Sequence, residues 1–194
     1  MLHLFKILLG ALAFVFTTSC AQPRQKMETQ SASSPKVLVV YYSATGTTEA
    51  VARRLAKATG GTLCPIVPAQ PYTSADLDWT DKQSRSSREH DDPSARPSLQ
   101  AAEVDVDSYD LIFLGYPIWW DEAPRVVNTF IESHNLRGKT VVPFATSGGS
   151  GVGPSVSQLK KTYPDVGWRA GRLLNGADDS TLRKWAEGFI APAE

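Results

Sequence analysis

The chain lacks a basic stripe, a metal-binding pattern and an apolar run long enough to cross a bilayer as a helix. Its 20 basic and 20 acidic residues cancel to a formal net charge of +0. With no clustered Lys or Arg to neutralise phosphates, the sequence argues against nucleic acid as a partner. Cysteine occurs only twice, at Cys20 and Cys64, too few for a disulfide framework or a thiolate metal site. Cys64 lies in the apolar run "TLCPIV" and reads as a buried, inert thiol. No Ser-His-Asp set and no carboxylate pair is evident, so side-chain catalysis has no candidate residues. What is present is an ordinary globular composition, 42% hydrophobic and 21% charged over 194 residues, enough for one domain with a substantial core.

The first residues stand apart from that domain. "MLHLFKILLGALAFVFTTSCAQ" carries one basic residue, Lys6, followed by an apolar run from Ile7 to Phe16. That run has the length of a signal-peptide core. Residues 1–20 are expected to be a signal or lipoprotein leader and residues 21–35 a flexible linker, because "QPRQKMETQSASSP" is polar and low in apolar residues. Two processing routes fit. In one, Cys20 becomes a lipidated N-terminus and tethers the protein to a membrane. In the other, cleavage follows Ala21, with Ser19 and Ala21 as the small residues. Both routes imply export, to the periplasm or to a membrane-anchored lipoprotein state. Loss of residues 1–19 removes Lys6 and no acid, leaving a net charge of about −1.

From residue 36 to 194 the pattern alternates. "KVLVVYY" (36–42) is a β-branched and aromatic run suited to a strand buried on both faces. A helix follows, with Val51, Ala52, Leu55 and Ala56 on one side, Arg53, Arg54 and Lys57 on the other, and Gly60-Gly61 at its end. Further strands are expected at 62–68, 110–117, 139–146 and 167–174, and helices at 124–134, 154–164 and 178–190. Pro65 and Pro68 mark the second strand as an edge. Such alternation implies an α/β fold, a parallel sheet with helices on both faces. Residues 69–107 break the pattern. They are rich in Asp, Ser, Arg and Pro and read as a partly helical excursion lying over the domain. Within it, His90 reads as a solvated or locally bonded side chain.

Three polar segments fall at the carboxyl ends of strands, where open parallel sheets bind ligands: "SATGTT" (43–48), "IWWDEA" (118–123) and "TSGGSGVG" (146–153). The first precedes a helix, whose N-terminus offers unpaired N–H groups and about half a positive charge. Ser43, Thr45, Thr47 and Thr48 add hydroxyls, and Gly46 lets the backbone approach. That set can hold one terminal phosphate without a cation. A nucleoside-triphosphate loop would require G-x-x-x-x-G-K-[ST], and the Lys is missing. A G-x-G-x-x-G fingerprint is missing too, because the glycines at 148, 149, 151 and 153 have the wrong spacing. A phosphomonoester cofactor fits best; the competing reading is a turn that only caps its helix. In the second segment, Trp119 and Trp120 suit stacking on a flat ligand, with one of them expected to close the core and the other to face the ligand.

These segments resemble the flavodoxins. S-A-T-G-T-T after a buried strand is similar to their phosphate loop. "YPIWWDEAPRVVNTFIE" and "GKTVVPFATSGGSGVGPSVSQLKK" are similar to the two flavin-ring loops of a bacterial flavodoxin-like family. The resemblance spans roughly residues 36–190, including "RPSL" at 96–99. It implies a flavodoxin-like three-layer sandwich, a five-stranded parallel sheet in order 2-1-3-4-5, and flavin mononucleotide (FMN) as cofactor. Carried over by position, Ser43, Thr45, Gly46, Thr47 and Thr48 would hold the phosphate. Pro117, Ile118, Trp119 and Trp120 would flank the ring, and Thr146, Ser147, Gly148 and Gly149 would line its other edge. The family usually has Gly after the paired tryptophans, where this chain has Asp121. Asp121 is expected either to tune the flavin or to cap the helix beginning near Pro124.

Three functions follow from the resemblance. One is an electron carrier that docks to a redox partner protein. Another is an FMN-dependent reductase of quinones or similar small-molecule acceptors. The third is a degenerate binding module without redox activity.

Overall fold

The computed structural model describes residues 35–190, and the leader and most of the linker expected at 1–35 lie outside the described residues. Among the described residues six strands and five α-helices follow one another. They are β1 (Val37–Tyr41), α1 (Thr47–Thr59), β2 (Thr62–Pro65), α2 (Arg85–Asp91), β3 (Leu111–Pro117), α3 (Arg125–Ser133), β4 (Thr140–Thr146), α4 (Val152–Thr162), β5 (Gly167–Trp168), β6 (Arg172–Leu173) and α5 (Asp179–Ile190). The sheet is parallel in order β2-β1-β3-β4-β5, with β6 also pairing β4. This is the expected α/β sandwich in its expected order, with β2 at the edge its prolines indicate.

Alternation along each strand divides the core into two layers. Leu38, Val40, Ile112, Leu114 and Tyr116 face the side covered by α3, α4 and the excursion. Val37, Val39, Tyr41, Leu111 and Phe113 face the side covered by α1 and α5. Burial on both faces is why these strands read as continuous apolar runs. The packing is tight at Gly115: a Cβ there would lie 2.1 Å from Cζ of Phe144 on the neighbouring strand. Cys64 is buried and free, and burial raises its thiol pKa.

One expectation is corrected. Residues 167–174 are not one strand but two pieces, β5 and β6, separated by Arg169–Gly171. The cause lies on β4. Carbonyls of Val141 and Ala145 accept from Arg169 and Leu174 on this side. Pro143 sits between them with the same orientation and has no N–H to offer. The register therefore slips by one residue between Val141↔Trp168 and Phe144↔Arg172, a local bulge.

The excursion does contain a helix, α2, capped by the Ser84 hydroxyl, which accepts from the N–H of Ser87. It lacks the apolar face of the other helices, and the residues that α2 buries are Ser86 and Ser87.

Candidate functional site

The loops after β1, β3 and β4 meet at one cleft of about 590 Å³ at the carboxyl end of the sheet. Of the thirteen residues expected there, Ser43, Thr45, Thr47, Thr48, Pro117, Ile118, Trp119, Trp120, Thr146, Ser147 and Gly148 line it. Gly46 and Gly149 do not. Gly46 instead precedes α1 with φ 86°, a conformation that favours glycine. No side chain caps α1, so its first turn keeps donors for a ligand. The Ser43 hydroxyl accepts from the N–H of Gly46 at 3.1 Å and shapes the turn.

The three loops are tied to one another, the second to the third where the Ile118 N–H donates to the Thr146 carbonyl at 2.9 Å. Thr48 Oγ1 and Thr146 Oγ1 form a buried 2.8 Å hydrogen bond between the first and third loops. Ser147 is clasped on its backbone by Asn175: its N–H donates to Asn175 Oδ1 at 2.9 Å, and its carbonyl accepts from Asn175 Nδ2 at 2.6 Å. The Ser147 hydroxyl then accepts from the N–H groups of Gly149 and Ser150, folding the glycine-rich turn over itself.

The tryptophan loop is a tight reversal. Trp119 and Glu122 exchange backbone hydrogen bonds of 3.0 and 2.9 Å, and the two residues between them, Trp120 (φ 46°) and Asp121 (φ 61°), are left-handed. Two positive φ values in a two-residue turn define the I′ type, which favours Asn, Asp and Gly. Asp121 is thus a tolerable replacement for the family's glycine, while Trp120 is a strained occupant. The helix-cap alternative for Asp121 is not found: no side chain caps α3 at Pro124.

That strain is held from behind by the excursion. Trp119 packs edge-on against Tyr42 (5.7 Å) and Tyr72 (5.5 Å) and joins the core, as expected of one of the pair. Trp120 stacks on His90, with centroids 4.9 Å apart and planes 14° from parallel. Both indoles nevertheless line the cleft. The expectation of a solvated or locally bonded His90 is therefore corrected: the ring is half-buried and stacks on a side chain of the loop after β3, a contact that its sequence neighbourhood does not announce. The buried Arg125 donates to the carbonyls of Glu89 (3.0 Å) and His90 (2.9 Å), holding the end of α2. Its Nη2 lies 3.0 Å from Glu122 Oε2, yet that oxygen has no hydrogen-bond partner. The contact is an ion pair, close but poorly aimed. On the far side, Tyr72 donates its hydroxyl to Glu89, and Arg85 lies 3.9 Å over the Tyr72 ring. Burial, then the Glu89 bond, pushes the Tyr72 hydroxyl far above its ordinary pKa.

Sequence reasoning missed five lining residues: Ala44, Leu77, Trp79, Ser86 and Asn175. Ala44 lay inside a quoted loop. Three of the others belong to the excursion, where only Trp79, an indole amid "DLDWTD", gave any signal. Among the described residues no cluster of His, Cys, Asp and Glu suits a metal ion, and no helix is long and apolar enough to cross a membrane.

Comparison with known proteins bears on this geometry. No curated protein matches the chain. A protein assigned as a flavoprotein from Bacteroides eggerthii DSM 20697 is 58% identical, with TM-score 0.78 over 82% of this chain and 99% of that one. One from Bacteroides uniformis ATCC 8492 is 50% identical, with TM-score 0.76 over 79% and 99%. A flavoprotein from Lactobacillus acidophilus NCFM, solved in complex with FMN, is 25% identical, with TM-score 0.62 over 79% and 99%. The profile described as Flavodoxin matches residues 36–189, nearly the whole folded domain. Fold order, cleft position and profile agree, and the chain belongs to the flavodoxin family.

Proposed function

We propose that the cleft binds FMN and that the protein carries electrons through the bound flavin. One observation carries the FMN part of this reading: three loops from three strand ends converge on a single cleft whose lining has no charged side chain. The donor set fits a phosphomonoester. The uncapped start of α1 supplies N–H groups, and Ser43, Thr45 and Thr47 supply hydroxyls beside it. Thr48 contributes from the backbone, since its hydroxyl is engaged with Thr146. Pro117, Ile118, Trp119 and Trp120 offer an apolar wall for the ring, and Thr146, Ser147 and Gly148 line its edge, while Gly149 stands outside the lining with its N–H bonded to the Ser147 hydroxyl. The FMN complex of the Lactobacillus acidophilus relative supports the same cofactor.

When bound, FMN supplies reversible one- and two-electron chemistry. The protein's part is to bind, orient and shield. The Thr48–Thr146 bond fixes the distance between phosphate and ring-edge loops. The Trp119–Glu122 turn, braced by His90 and Arg125, sets the indole wall.

A second reading, an FMN-dependent reductase of quinones or similar small acceptors, is favoured by the uncharged cleft and the balanced charge. Carriers that find partners electrostatically are expected to be strongly charged. Export, through lipidation at Cys20 or cleavage after Ala21, belongs to the same proposal. Membrane fractionation of a Cys20→Ser variant tests the tether, which predicts release from the membrane.

The deciding experiment is the absorption spectrum of the purified protein, followed by titration with FMN and riboflavin and by NAD(P)H oxidation with and without menadione. Flavin bands with FMN bound far more tightly than riboflavin are expected. Absence of FMN binding rejects the proposal, and menadione-dependent turnover selects the second reading.

A further inference from the structure

The excursion contributes Leu77, Trp79 and Ser86 to the cleft, beyond the residues proposed above to hold phosphate and ring. Residues 73–86 are set by short side-chain bonds to the backbone. The Asp76 carboxylate accepts from the N–H and hydroxyl of Thr73, both at 2.8 Å. That of Asp78 accepts from the N–H (2.9 Å) and hydroxyl (2.6 Å) of Thr80. That of Asp81 accepts from the N–H of Gln83 at 2.8 Å. The N–H of Ser86 donates to the Asp76 carbonyl at 2.9 Å and closes the segment. Every one of these bonds satisfies a local polar group, and none requires an indole.

Leu77 and Trp79 stand on this built rim, and both line the cleft. Trp79 is 74% exposed, and among the described residues the other exposed large apolar side chain, Leu173, is only 38% exposed. A single exposed apolar residue is ordinary on a surface. An indole at the mouth of a cleft whose inner wall already carries Trp119 and Trp120 is a second flat surface facing the same space. The lining as a whole holds no Lys, Arg, His, Asp or Glu. With the α1 N-terminus assigned to the cofactor's phosphate, a charged acceptor finds no counter-charge left in this lining, whereas an uncharged planar ring finds stacking and apolar contact.

We propose that Leu77 and Trp79 form an outer subsite that takes an uncharged, planar aromatic compound beside the cofactor. The proposal rests on the FMN reading and names the class of small molecule the cleft admits. It concerns binding and is independent of which donor reduces the flavin.

Menadione, an uncharged two-ring quinone, is the probe. Its affinity for the protein carrying oxidised FMN is measured by calorimetry for wild type, Trp79→Ala, Trp79→Phe and Leu77→Ala, with FMN affinity measured in parallel. Trp79 is exposed, so its replacement leaves the fold intact, which a melting curve checks. Trp79→Ala is expected to weaken menadione about tenfold, Trp79→Phe to restore most of the affinity, and both to change FMN affinity by less than about threefold. Loss of FMN affinity to the same extent as menadione would make Trp79 a wall of the cofactor site and overturn the subsite. Unchanged menadione affinity in Trp79→Ala and Leu77→Ala, with FMN bound normally, overturns it as well and leaves the FMN reading standing. A wild-type protein that takes up no FMN overturns both.

Discussion

The sheet and the excursion solve the same problem, covering a surface, with opposite chemistry. The sheet and its helices bury Val, Leu, Ile and Phe side chains on two faces. Between residues 69 and 95 the excursion buries Ser84, Ser86 and Ser87, half-buries a bonded Tyr72 and carries the carbonyls that Arg125 reaches; apolar burial resumes toward its end, where Val106 joins the core. Apolar burial is non-directional and gains roughly in proportion to area. A hydrogen bond contributes only about 1 kcal/mol net but exacts more when one partner is left buried alone. The frame should therefore be the stable unit and the excursion the brittle one, intact when all its partners are present and quick to open when one is removed.

Phe144→Ala is expected to have the largest effect. Phe144 is fully buried against Gly115, and its truncation should cost about 3–5 kcal/mol. The loss should appear as a lower melting temperature for the whole domain. A change confined to the excursion would show that the frame is not one cooperative unit.

Thr45→Ala combined with Thr47→Ala comes next. Each lost contact to a phosphate is worth about 1.5–3 kcal/mol. FMN affinity should fall at least about 100-fold while riboflavin affinity holds, because these exposed hydroxyls serve the ligand rather than the fold. Equal weakening of both ligands would count against a phosphate at α1.

Arg125→Ala should cost roughly 2 kcal/mol, mostly from carbonyls left without a donor. Hydrogen exchange should quicken across residues 85–92 while β1, β3 and β4 stay protected. Uniform quickening would erase the contrast between the two regions. His90→Ala, which removes the ring stacked on Trp120, should cost about 1 kcal/mol, and Trp120 fluorescence should report a looser loop.

The smallest effect concerns the other end of the excursion, where Arg96 grips Glu132 on α3 with bonds of 2.7 and 2.8 Å. The Arg96 bonds hold the Glu132 carboxyl below its ordinary pKa of 4.5. A carboxylate depressed in the fold stabilises it above the unfolded value and loses that contribution as pH falls through the folded value. The pair is partly exposed, so less than about 1 kcal/mol is at stake. Acidification from pH 5 to 3 should weaken protection near Arg96 in wild type and leave Glu132→Gln unchanged.

The same contrast decides what could be read from residue order. "KVLVVYY" and "DLIFLGYP" announce buried strands because two-sided burial leaves no room for polar residues. The hydroxyl-rich segment at 43–48 gave away its loop by ending one apolar run and starting a helix. The excursion has no such signal. The turns in 73–86 and helix α2 are specified by single Asp, Thr and Ser side chains, each with many conformations open to it in isolation. Its contribution to the cleft through Leu77 and Trp79 depends on where the segment folds back, as does the stacking of His90 on Trp120. Asn175 is hidden for a related reason, since its partner Ser147 is remote in sequence. The division of the fifth strand was invisible within residues 167–174, because its cause is a proline on the adjacent strand.

That proline has a further consequence at the margin of the sheet. Unpaired strand edges invite a second chain to add itself, and long flat ones are the danger. Here β5 and β6 are two residues each, out of step with one another. At the opposite margin, β2 ends in Pro65, and just beyond it the returning chain bridges Pro68 to Leu99, with Gln100 donating to the Val67 carbonyl. Neither border of this sheet offers a long regular template. Crowded copies of the domain would find few places to zip together, a safeguard against polymerisation provided by interruptions rather than by charge.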